Sequence, residues 1–124
     1  MNSTQSAAAI VTLPAEVDMY NREQAYDQVY AACFSGAYVI IADFTGTRYC
    51  DAGGMRRLLD VQDHVASGVQ LRFVIPPGHP ARRLADLVDP GRRVPVYASP
   101  EEAAAGIPVP LPADALRAAG SGRR

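Results

Sequence analysis

Residues 37–44, AYVIIADF, are apolar almost without interruption. So short and continuous a run predicts a central strand of a parallel sheet, covered on both faces. Three further runs read as strands. IVTL (10–13) stops at Pro14, and VQLRFVI (69–75) alternates before closing at Pro76, Pro77 and Gly78. RVPVYA (93–98) contains Pro95, which suits a sheet edge because proline cannot donate to a ladder. Between these runs the apolar spacing changes to that of helices. The segment at about 21–35 puts Ala25, Val29 and Ala32/Cys33 on one face, with Asn21 as N-cap and Ser35-Gly36 as a stop. The segment at about 52–67 puts Met55, Leu58, Leu59, Gln62, Val65 and Ala66 on one side, with Arg56, Arg57, Asp60, Asp63 and His64 on the other side or its rims. Gly68 is expected to end it. A short helix at about 80–88 turns Ala81, Leu84, Ala85 and Val88 inward. Ser99, Pro100 and Glu102 have the spacing of a cap, a first helical position and a third, opening a last helix.

The order is β-α-β-α-β-α-β-α. It predicts an α/β fold with a mainly parallel sheet of about four strands, helices packed on it and right-handed βα crossovers. The loops at 14–20 and 46–54 should gather at the ends of the strands, where sites form in such folds. The expected domain is 10–105, with a small, polar and disordered 1–9 before it and a flexible Pro- and Ala-rich tail, 106–124, after it.

A chain of 124 residues, 48% hydrophobic and with a net charge of −1, fits one ordinary globular domain. The charge balance gives a nucleic-acid partner no electrostatic footprint. All twelve basic residues are arginine, a bias expected of a GC-rich bacterial genome. No run of about 18 apolar residues predicts a membrane span, and the N-terminus lacks the pattern of a signal peptide, so the expected location is the cytoplasm. Cys33 and Cys50 have no CxxC spacing and read as buried thiols in a reducing compartment.

The chemistry available to an enzyme is sparse. The histidines are His64 and His79, and neither has a sequence partner spaced for metal or nucleophilic work; His64 is expected on a solvated face, where Asp60 is one turn earlier. GTRYCDAGG (46–54) lacks the lysine and glycine spacing of a phosphate loop. No catalytic residue, cofactor or metal is therefore expected. Asp51, just before a helix, can accept from free backbone N–H groups as an N-cap, and its charge discourages a second anion there. The pairs Arg56/Arg57 and Arg82/Arg83 suit either a solvated helix face or a partner-facing patch.

Two motifs in this layout resemble those of the STAS domain as found in bacterial anti-sigma-factor antagonists. LPAEVD (13–18) is similar to L-x-G-E-[LI]-D, with Ala15 in place of the glycine. DFTGTRYCDAGGM (43–55) follows D-[LF]-S-G-V-x-[FY]-[ILMC]-D-S-[ST]-G-[LI] without a gap, keeping Asp43, Gly46, Tyr49, Asp51 and Gly54. The resemblance covers about residues 10–105. It implies a non-enzymatic interaction module that binds an anti-sigma factor of the serine-kinase type or another STAS protein, with a homodimer also possible. It implies a contact surface of Glu16, Asp18, Thr45, Thr47, Asp51, Ala52, Gly53, Gly54, Arg56 and Arg57. In regulated members the partner kinase phosphorylates a serine directly after the motif aspartate, and this releases the antagonist. That position here is Ala52, and the next is Gly53, so the resemblance implies a switch without its acceptor. The family usually begins with a hairpin. The residues before IVTL leave its first strand short, absent or supplied by another chain. A sensing domain for a nucleotide or small apolar molecule is the alternative implied.

Overall fold

The computed structural model describes residues 8–106. Four strands, β1 (Ala8–Thr12), β3 (Val39–Asp43), β5 (Gln70–Val74) and β6 (Val96–Tyr97), form one all-parallel sheet in the order β1-β3-β5-β6. A second, two-stranded sheet pairs β2 (Glu16–Val17) with β4 (Tyr49–Cys50), also in parallel. Four helices alternate with the strands: α1 (Arg22–Ala32), α2 (Ala52–His64), α3 (Pro80–Val88) and α4 (Pro100–Ala105).

The continuous apolar run of β3 is explained by two cores. Ile40 and Ala42 point to the larger one, where they join Leu71 and Phe73 of β5, Val29 of α1, Met55, Leu58 and Val61 of α2, and Ala81 and Ala85 of α3. Ile41 points the other way, to a small core with Val74, Tyr97 and Ala103 of α4. Successive residues of a strand face opposite sides, so a strand buried on both can have no polar alternation. Pro95 lies beside the edge strand, where its carbonyl still accepts from Phe73 N at 2.9 Å while its missing N–H costs no ladder bond.

Several boundaries differ from the sequence expectation. β1 begins at Ala8, because two alanines before Ile10 pair with Val39 and Ile40 even though they have no strand signature. The remaining expected N-terminal segment, 1–7, and the tail from 107 lie outside the described residues, as does any first hairpin strand. α2 ends at His64, with Val65 already extended (φ −93°, ψ 160°), and Gly68 adopts φ +95° in the following turn. Gln62, expected on the core face, instead binds backbone: its Oε1 accepts from Leu71 N at 2.7 Å and its Nε2 donates to Val69 O at 3.3 Å. Asn21 does not cap α1. Its side chain accepts from Asp18 N and donates to Glu16 O, tightening the preceding turn. Among the described residues no helix is long and apolar enough to cross a membrane.

Candidate functional site

The two motifs meet through the small sheet. In the β2–β4 register Glu16 lies opposite Tyr49 and Val17 opposite Cys50. Arg48 N and Tyr49 N both donate to Ala15 O, and Asp51 N donates to Val17 O at 3.1 Å. Thr47, 1% exposed, donates its hydroxyl to Pro14 O at 2.8 Å. This corrects its assignment as a contact residue, because a buried hydroxyl bonded to backbone is a fastener between the loops and not part of their surface. Thr45 is exposed, and its hydroxyl donates to Asp43 Oδ1 at 2.6 Å while its N–H donates to the same oxygen.

Asp51 caps α2 as expected. Its extended backbone leaves the helix, and Oδ1 accepts from Gly54 N at 2.7 Å. Gly54 is required by packing. A β-carbon there would lie 2.8 Å from Val17 Cγ1 and 3.0 Å from Val17 O, so the first turn of α2 rests directly on β2. At Gly53 a β-carbon would meet the guanidinium of Arg22, with NH1 at 2.5 Å. Ala52 is half-buried and ends in a methyl group.

The adjacent arginines separate in role. Arg56 is exposed and its guanidinium has no hydrogen-bond or ion-pair partner among the described residues. Arg57 is fully engaged. Its Cζ lies 3.8 Å from the centroid of the Tyr26 ring, Nε donates to both oxygens of Glu23 at 3.0 and 3.1 Å, and NH1 donates to Asp60 Oδ2 at 3.2 Å. It therefore ties α1 to α2. Burial raises the Tyr26 hydroxyl above its ordinary pKa, against the opposing pull of Arg57. His64 Nδ1 sits 2.8 Å from Asp60 O and 3.2 Å from Tyr26 Oη, so it meets the Asp60 backbone and not its carboxylate. Burial, and then the charge of Asp51, push the Cys50 thiol up to about 12, which leaves it protonated and unreactive near neutral pH.

The sequence reading missed the apolar part of this surface. Met19 (67% exposed), Tyr20 (88%) and Tyr49 (55%) lie on the two segments that β2 and β4 bring together. A methionine and a tyrosine in the polar lead-in to a helix were the available signal. Glu16 is exposed beside them, and Asp18 is half-buried, its Oδ1 accepting from Tyr20 N at 2.9 Å.

A parallel sheet with helices on both faces and a capped, side-chain-poor turn joined to a second motif defines the class: a small α/β domain presenting a loop surface at one end. The STAS domain family model matches residues 1–103, and the chain belongs to that family. Its fold is similar to an anti-sigma factor antagonist from Mycobacterium paratuberculosis, with 14% identity, a TM-score of 0.72 and coverage of 83% of this chain and 87% of that one. It is also similar to the anti-sigma factor antagonist SpoIIAA in its unphosphorylated form, with 21% identity, a TM-score of 0.51 and coverage of 82% and 89%. No curated relative matches the sequence.

Proposed function

We propose that this chain is a non-enzymatic interaction module of the anti-sigma-factor-antagonist kind, which binds an anti-sigma factor of the serine-kinase type or another STAS protein. We propose further that this binding has no phosphorylation control at the usual serine position. The observation that carries the reading is the joined surface of Met19, Tyr20 and Tyr49 beside Glu16, Asp18, Asp51, Ala52 and Arg56. Exposed tyrosine and methionine next to a polar rim form the composition of an interaction surface, because they offer large apolar area at low ordering cost. Family membership supports the class of partner. Ala52 and Gly53 provide no hydroxyl, Thr47 is buried, and the Thr45 hydroxyl is bonded to Asp43.

The test is calorimetry or size-exclusion binding against the kinase-type anti-sigma proteins of the same genome. Binding that Tyr49→Ala or Tyr20→Ala weakens about tenfold or more, with unfolding unchanged, is the expected result. Absence of binding across that set, or binding indifferent to all three apolar residues, would overturn the reading.

A further inference from the structure

A cleft of about 310 Å³ opens between α1 and α2, lined by Arg22, Glu23, Gly53, Arg56, Arg57 and Asp60. Three arginines against two carboxylates leave it one net positive charge. The distribution of partners sharpens that imbalance. Arg57 already engages both carboxylates, Glu23 through Nε and Asp60 through NH1. The guanidinium groups of Arg22 and Arg56 have no hydrogen-bond or ion-pair partner among the described residues. Gly53 also lines the cleft, and the absence of a side chain there lets Arg22 NH1 approach to the place a β-carbon would occupy. The N–H groups of Ala52 and Gly53, in the open first turn of α2, also have no acceptor among the described residues. Asp51 does not line the cleft, but its Oδ1, which accepts from Gly54 N, lies 3.6 Å from the β-carbon position at Gly53, so its charge offsets part of that of the arginines.

We propose that this cleft is an oxyanion site, with Arg22 and Arg56 as its two arms. In a complex it takes a carboxylate or phosphoryl group carried on a side chain of the protein partner. Guanidinium groups match both oxyanions because their N–H donors are planar and paired. The assignment rests on the proposed interaction function only for its occupant; binding of a free oxyanion by the cleft is independent of any partner.

The test uses the whole chain and small probes. NMR titrations with inorganic phosphate and with acetate, at ionic strength fixed by chloride, follow the Nε–Hε signals of Arg22 and Arg56 and the amides of Ala52 and Gly53. Saturating shifts at these four positions, with Arg83 unmoved as an exposed arginine elsewhere, are the expected result. Saturation with acetate identifies a carboxylate occupant, and saturation with phosphate alone identifies a phosphoryl one. Arg22→Gln and Arg56→Gln should each weaken the probe about two- to fivefold, the scale of one exposed ion pair. Gly53→Ala, which removes no charge but displaces Arg22, should weaken it too while the fold is kept. Shifts that stay linear with concentration and are as large at Arg83 would overturn the site. If the probe binds yet no partner does, the interaction reading fails and the oxyanion site stands.

Discussion

Asp51 and Gly54 act at opposite ends of one hydrogen bond, and their substitutions separate two causes of stability. Asp51→Ala removes the acceptor for Gly54 N and should cost about 0.5–2 kcal/mol in urea unfolding, whereas Asp51→Asn, which caps about as well, should recover most of it. An equal loss in both variants would mean that charge, not capping, sustains the helix start. Gly54→Ala drives a methyl group into Val17 and should cost about 1–3 kcal/mol. Gly53→Ala meets only the flexible tip of Arg22 and should gain up to about 1 kcal/mol from helix propensity, so the neighbouring glycines should respond with opposite signs. Equal signs would refute the packing explanation. The cap was readable from the sequence because its partner lies three residues away. The burial of Thr47 was not, because its partner, Pro14 O, lies 33 residues earlier in the chain.

Among the elements, the main strands and the first three helices follow from apolar spacing and the fourth helix from its cap residues, and their types match the expectation. The strands β2 and β4 do not. Two residues carry no periodicity, and what creates these strands is their mutual pairing, so the sequence showed only two loops destined for the same end of the sheet. The bond between α1 and α2 was hidden for a similar reason: adjacent arginines look equivalent until the helix packs one of them onto Tyr26. Arg57→Ala removes that stacking and both ion pairs, and should cost about 1–2 kcal/mol, the sum expected of one cation–π contact and exposed pairs. Glu23→Ala should cost less than about 1 kcal/mol, and a double-mutant cycle should show that the two residues couple. A cost from Arg57→Ala no larger than that from Arg56→Ala would show that the link carries no stability.

For the whole molecule, the proposed lack of phosphorylation control turns on Ala52, which has no hydroxyl. Incubation with a kinase-type anti-sigma partner and ATP should leave the wild-type mass unchanged at this turn. Ala52→Ser should gain a phosphate and then lose its partner, since about −1.5 to −2 charges would arrive beside the helix start and the contact surface. Phosphate found on wild-type Thr45 that weakens binding would sink the idea, because the switch would have moved and not vanished.

The strand order β1-β3-β5-β6 has a consequence for how the chain is made. Each strand of the main sheet pairs with the one synthesised before it, and none has to be wedged between two that are already joined. The sheet can therefore lengthen at one edge while translation continues, with α1, α2 and α3 each arriving between two of its strands and α4 after the last. We predict that a translation-arrest force assay on the nascent chain will register pulling in steps, as Val39–Asp43 and then Gln70–Val74 clear the ribosomal tunnel. A single pull appearing only after Val96–Tyr97 emerges would show instead that the last edge is needed before any of the sheet holds.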